Sequence, residues 1–271
     1  MPEMLPSMLN RLIALLTLAL LAVACGGQDN ISDCDSGKKQ IPCTEKSAEE
    51  KGRLALDGKR FEEAVENFAL AIEGEPENYN LYTLLATAYA GAAGFNLLDV
   101  TKAQIGGQGS ILELMGSFLP TPAAPCQTDD GEDKTYTLCI DAMEEARTTA
   151  NLPEGGLADP AADYYKTAAK QILFYSSAST VMQINRFAIS SASGTFDPAL
   201  LETMTEEDAV NILNTLASSG TAAGLSDEQS QTLKAKIADA EALIQGQNGG
   251  NSKEKVAAFI AAEYQPQTGN Q

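Results

Sequence analysis

Residues 60–90 read RFEEAVENFALAIEGEPENYNLYTLLATAYA. Phe61, Ala64, Val65, Phe68, Ala71 and Ile72 recur at the i, i+3, i+4, i+7 spacing that lays one apolar stripe along an α-helix, which predicts a helix over 60–73. Pro76, in the polar segment EGEPENYN, interrupts the pattern because its ring removes a backbone donor. A second helical run, YNLYTLLATAYA, follows at 79–90. Upstream, SAEEKGRLALD at 47–57 predicts one more helix, broken at Gly58. Helices joined by such short turns lie antiparallel and share an apolar seam.

The rest of the chain has the same character. GAAGFNLLDV reads as a weak helix or turn, and the GGQG run from Gly106 to Gly109 as a flexible linker. That run lacks the Lys-Ser/Thr ending of a phosphate-binding loop. A short helix at 111–118 stops before Pro120 and Pro122, residues 123–138 form an acidic loop, and a helix follows at 140–151. Asp159-Pro160 and Asp197-Pro198 each set an N-cap acceptor before proline at the first helical position. The first opens a long helix over about 160–190, with Tyr165, Ala168, Ala169, Ile172, Leu173, Val181 and Ile184 apolar. Thr205 with Asp208 caps a helix reaching Leu216, and Ser226 with Gln229 forms a capping box for 227–245, ended by Gly246. A last amphipathic helix spans about 253–264, and residues 265–271 are a tail. No segment alternates with the period of two that marks a half-buried strand. The expected fold is all-α: antiparallel helical hairpins in the N-terminal half, completed by a divergent C-terminal helical array in one domain over 45–264.

The stretch from Glu45 to about Tyr89 resembles a tetratricopeptide repeat (TPR), a helix-turn-helix unit of roughly 34 residues. Gly52 stands at the family's small position in the first helix. Phe61, Ala64, Phe68 and Ala71 take the aromatic and small positions of the second, and Pro76 marks the turn between repeats. Tyr82, Leu85, Ala86 and Tyr89 begin a second unit, which loses the pattern in GAAGFNLL. Ala48 and Ala55 replace bulky residues of the family pattern, and Gly58 sits one place early in the turn. One and a half repeats cannot hide their apolar faces alone, so the downstream helices must complete the core.

The chain opens with the polar leader MPEMLPSMLNR, followed by the apolar run from Leu12 to Ala24. That run is too short to span a bilayer and matches the central region of a secretory signal over 1–24. Ala22-Val23-Ala24-Cys25 resembles a bacterial lipobox, which implies cleavage and acylation at Cys25, and Gly26 after it implies sorting to the outer membrane. Residues 25–44 then read as a tether. In an exported chain the remaining cysteines predict two disulfides, and short loops favour Cys34 with Cys43 and Cys126 with Cys139. Each is worth roughly 2.5–3 kcal/mol in the chain-entropy treatment.

Composition narrows the chemistry. Of 271 residues, 18 are basic and 37 acidic, a net charge of -19 that repels nucleic-acid phosphates, so no nucleic-acid partner is expected. The chain has no histidine, which excludes His-dependent triads and His-ligated zinc centres. The acidic turns at Asp33 and Asp35 and at Asp129, Asp130, Glu132 and Asp133 lack EF-hand spacing and read as solvated loops. The serines of Ser176–Ser179 have no lysine placed as a partner base, and neighbouring glutamates such as Glu144 and Glu145 do not share a helix face. No catalytic residue, metal or cofactor is expected. The expectation is an envelope lipoprotein that docks another envelope protein or its extended peptide segment, with Lys51, Arg53, Tyr82 and Tyr89 as candidate contacts on the inner helices. The alternative that the resemblance implies is a ligand-handling partner of a TRAP-type uptake system, with a cavity among Tyr164, Tyr165 and Tyr175. A component of outer-membrane assembly or pilus secretion is a third possibility, though such proteins carry more repeats.

Overall fold

A computed structural model describes residues 46–102, 109–153, 155–156, 158–159, 161–220, 225–248 and 250–264. The signal segment, Cys25, the tether, the Cys34–Cys43 pair, most of the GGQG run and the tail lie outside the described residues. The described residues from Lys46 onward form one compact unit, with eleven helices and no strand among them.

Helices α1 (Ala48–Asp57), α2 (Phe61–Gly74) and α3 (Tyr79–Ala92) pack in succession. Ser47 opens α1 by accepting the Glu50 N–H at 3.2 Å. The turn after α1 needs one left-handed residue, and it falls on Lys59 (φ 57°) while Gly58 keeps an ordinary φ of -78°. Close approach of the helices depends on two glycines. A Cβ on Gly52 would stand 2.8 Å from the Phe68 ring, and one on Gly91 would collide with the Phe61 ring. Ala55, Ala64, Phe68, Leu81, Leu85 and Ala88 form a small apolar cluster, with Ala71 and Ile72 packed on its edge. The opposite face of α3 (Ala86, Ala90) belongs to the main cluster, and Tyr89 touches both.

Arg60, the N-cap of α2, supplies no side-chain cap. The missing acceptor comes from 67 residues away: Asp129 accepts the N–H groups of Glu62 and Glu63, each at 3.1 Å. The Asp129 N–H donates back to the Glu62 carboxylate at 3.3 Å, and Lys134 pairs with Glu62 at 2.9 Å. The acidic turn is therefore a cap supplied in trans. It lies inside the loop closed by the Cys126–Cys139 disulfide (Cα–Cα 6.0 Å).

After α4 (Leu97–Lys102) and α5 (Ile111–Gly116), α6 (Tyr136–Ala150) packs on α3, so the partner of α3 arrives after a long insertion. α6 starts four residues before the expected 140, placing Cys139 in its first turn. α7 (Asp163–Ala188) is the axis of the body, touching α3, α5, α6, α8 (Ala199–Thr203), α9 (Glu206–Gly220), α10 (Glu228–Gly246) and α11 (Ser252–Tyr264). Every residue from Leu173 to Met182 is buried. Ser176, Ser177, Ser179 and Thr180 are small enough to let the neighbours approach. Burying hydroxyls is tolerable because Ser177 and Thr180 donate to the Leu173 and Ser176 carbonyls at 2.7 and 2.9 Å.

Several helix starts differ from expectation. Asp159 accepts the Ala161 N–H at 3.0 Å in a turn, and α7 begins later, at Asp163. α10 is capped by Asp227, which accepts from the Ser230 N–H at 3.1 Å and hydroxyl at 2.8 Å, in place of the Ser226–Gln229 box. An ionised carboxylate outcompetes a serine hydroxyl one place away, and Lys170 of α7 supports it at 3.5 Å. Thr205 and Asp208 do form the reciprocal box at α9, with Thr205 N–H to Asp208 at 2.8 Å and Asp208 N–H to the Thr205 hydroxyl at 3.1 Å. Glu206 accepts the Ser252 and Lys253 N–H groups, each at 2.9 Å, a second cap in trans that opens α11.

Candidate functional site

The four candidate contact residues occupy different settings on α1 and α3. Lys51 and Arg53 are exposed on α1, and Arg53 pairs with Glu49 at 2.9 Å. Tyr82 donates its hydroxyl to the Pro76 carbonyl at 3.2 Å, which ties α3 to the turn that precedes it. Tyr89 is half-buried between the apolar clusters, and burial, followed by the nearby Glu145 carboxylate, raises its hydroxyl above the ordinary tyrosine value. Tyr82 and Tyr89 thus serve packing first.

The three tyrosines expected around a cavity are spread along α7. Tyr164 lies against Tyr79, ring centroids 5.2 Å apart, and Tyr165 is half-buried nearby. Tyr175 is fully buried roughly 16 Å further along the axis, edge-on to Phe95 at 5.9 Å. Burial pushes its hydroxyl up to about 12. Helical rise separates Tyr175 from the other two, and none of the three lines the two clefts described next.

Among the described residues, two roomy clefts stand out on the surface. One, of about 640 Å³, lies beside the disulfide, bounded by Phe61, Gly91, Phe118, Pro120, Pro125 and Asp129. The other, of about 400 Å³, is a gap between α6 and α9 above α7. Ile140, Glu144 and Arg147 reach it from α6 at i, i+4, i+7, Gln183, Arg186 and Phe187 from α7, and Asp208, Asn211, Asn214 and Thr215 from α9. None of Lys51, Arg53, Tyr82 or Tyr89 lines either cleft.

The second cleft has a fixed polar framework. Arg147 Nε lies 3.0 Å from each Glu144 carboxylate oxygen, and a second contact comes from its NH2 group. The hydrogen-bonded carboxylate outweighs desolvation and raises the guanidinium pKa further. Glu144 also accepts from the buried Ser179 hydroxyl at 3.2 Å, and Gln183 donates to the same hydroxyl at 3.0 Å. Burial alone would raise the Asp208 carboxyl. Its bonds from the Thr205 hydroxyl and N–H, helped by the Arg186 cation, outweigh that and hold it below the ordinary carboxylate value. Arg186 lies over the Phe187 ring, 5.4 Å from its centroid.

No protein family, curated protein or solved structure matches this chain. The cleft is not visible in the sequence, because its lining comes from three helices far apart in the chain. The one local signal is Glu144 followed three residues later by Arg147, a spacing that also occurs in ordinary solvated helix faces.

Proposed function

We propose that this chain is an outer-membrane-anchored envelope lipoprotein whose TPR-like hairpins dock another envelope protein or an extended segment of it. The observation that carries the reading is the glycine-to-aromatic packing of α1, α2 and α3: Gly52 against Phe68, then Gly91 against Phe61. Packing of small residues against aromatics between consecutive antiparallel helices is what the TPR resemblance implies. Lys51 and Arg53 are exposed on α1, Arg53 paired with Glu49 at 2.9 Å, and are the contacts that the docking reading names. Acylation at Cys25 would supply the membrane anchor without a transmembrane helix. No catalytic residue or cofactor is assigned.

Two measurements test the proposal. Metabolic labelling with a fatty-acid analogue should mark the wild type and not Cys25→Ser, and an unlabelled wild type would remove the anchor. Crosslinking in native envelopes should capture one partner in the wild type and lose it in the Lys51→Glu/Arg53→Glu double variant. Capture that ignores this reversal would remove the docking face. A second reading, a ligand-handling lipoprotein serving an uptake system, is favoured by the polar cleft between α6 and α9.

A further inference from the structure

The loop that the Cys126–Cys139 disulfide closes acts on two other helices. Asp129 accepts the Glu62 and Glu63 N–H groups at the start of α2, each at 3.1 Å. Lys134, nearly buried, pairs with Glu62 at 2.9 Å and donates to the carbonyl of Ala92, the last residue of α3, at 3.4 Å. Residues 126–134 thus strap the start of α2 to the end of α3. The strap is closed in itself: the Lys134 N–H donates to the Cys126 carbonyl at 3.0 Å, and the Thr128 N–H to the Glu132 carbonyl at 2.8 Å. Its two ends are held differently. Lys134 runs through Thr135 directly into α6, whereas Cys126 is joined to α6 by the disulfide. With that bond in place the strap is fixed at both ends. Without it, Thr135 is the one covalent link to α6, and holding Asp129 against α2 then costs conformational entropy that the disulfide otherwise removes.

The two sulfurs are not equivalent. Cys126 lines the cleft of about 640 Å³ together with Phe61, Phe118 and Pro125, and Cys139 does not. Cys139 is fully buried in the first turn of α6, and the Cys126 N–H lies 3.2 Å from its Sγ. A backbone donor and the N-terminal end of a helix both favour a thiolate, and a stabilised thiolate is the better leaving group.

We propose that this disulfide is a redox switch on the α2–α3 pair, opened by a dithiol that reaches it through the cleft. The attacking thiolate bonds to Cys126 Sγ, the Cys126–Cys139 bond breaks, and Cys139 leaves as a thiolate that takes up a proton. The second thiol of the reductant then displaces Cys126. Two electrons and two protons have passed: the reductant ends as its own disulfide, and Cys126 and Cys139 end as thiols. Oxidised, the strap caps α2. Reduced, it releases the Glu62 and Glu63 N–H groups, and the start of α2 opens. The device works whether or not the hairpins dock a partner.

The test is hydrogen exchange resolved to single amides, on the full-length protein in detergent, with dithiothreitol as the dithiol. Reduction without denaturant should speed exchange at Glu62 and Glu63 at least tenfold. It should leave Ser252 and Lys253 unchanged, since Glu206 caps those N–H groups in trans in the same way, each at 2.9 Å. Oxidised Asp129→Ala should exchange at Glu62 and Glu63 as fast as the reduced wild type, and reducing it should add nothing there. Glutathione, a monothiol, stopped with acid before the reaction completes and mapped by peptide mass, should be found on Cys126. Unchanged exchange at Glu62 and Glu63 in the reduced protein, or a further tenfold rise on reducing Asp129→Ala, would overturn the switch. Equal acceleration at Ser252 and Lys253 would also overturn it, because the disulfide would then be a staple of the whole body. So would a bond that yields to dithiothreitol only after unfolding in urea. Glutathione on Cys139 would overturn the route through the cleft.

Discussion

Replacing Gly52 by alanine isolates the contact on which the close packing of α1 against α2 depends. Alanine in a helix interior ordinarily gains about 1 kcal/mol over glycine. Here the added methyl would stand 2.8 Å from two carbons of the Phe68 ring, inside van der Waals contact. Phe68 cannot swing aside, because it is fully buried among Ala55, Ala64, Leu81, Leu85 and Ala88. Overpacking a core by one carbon costs about 1–3 kcal/mol, so the net effect is a loss of up to about 2 kcal/mol. For a body of this size a loss of about 1 kcal/mol lowers the thermal midpoint by roughly 2–4 °C. Urea unfolding followed by far-ultraviolet circular dichroism reads the change, with tyrosine emission as a second probe in a chain without tryptophan. Gly74 is the control: a methyl added there would meet nothing within 4 Å, and Gly74→Ala should be neutral or slightly stabilising. In a Phe68→Leu background the penalty of Gly52→Ala should shrink. If Gly52→Ala instead stabilises the protein by about 1 kcal/mol, as an uncrowded helix position would, the close approach of α1 and α2 is refuted.

Asp129→Ala should cost about 1 kcal/mol, within the roughly 0.5–2 kcal/mol of a lost N-cap. Hydrogen exchange should place the loss at Glu62 and Glu63, far from the substitution in sequence. Reducing Cys126–Cys139 opens a loop with a sequence separation of 13, worth roughly 3 kcal/mol. A reductant should therefore lower the denaturation midpoint of the wild type and leave a Cys126→Ala/Cys139→Ala variant unmoved. The carboxyls of Asp208 and Asp227 are held below their ordinary values, so their contribution is present above the unfolded carboxylate pKa of about 4 and is lost as pH falls through the depressed folded values. Denaturation midpoints between about pH 6 and 2 should fall less steeply in Asp208→Asn than in the wild type.

The helices are legible in the sequence wherever local pattern and tertiary packing agree. The stripe of Phe61, Ala64 and Phe68 announces α2, and Thr205 with Asp208 announces the start of α9, because both signals lie within one or two turns. The start of α10 falls one residue from the expected place because Ser226 and Asp227 are both good caps, and the ionised carboxylate, supported by Lys170 from a distant part of the chain, is the stronger acceptor. The acidic turn at 129–133 looks like solvated surface, since nothing nearby in sequence shows that Asp129 meets α2. The Ser176–Ser179 run raises the question of a nucleophile, and its place is in the buried middle of α7, Leu173–Met182, where small side chains let the neighbours pack tightly. The polar cleft is illegible for the same reason as the caps in trans. Its lining residues come from α6, α7 and α9, and pattern within one helix carries no record of what faces it.

The cap on α2 also orders events in time. Residues 60–74 are synthesised well before residue 129, so any α2 that forms before Asp129 arrives has no protein acceptor for its leading N–H groups. Closing the intervening 67 residues carries a loop entropy that a local serine or aspartate cap would avoid. Contacts of that separation form slowly compared with the helices they join. The hairpin that is synthesised first is thus among the last parts to reach its final stability, and a chain in which Cys126 and Cys139 have already been oxidised meets it with the capping turn preformed.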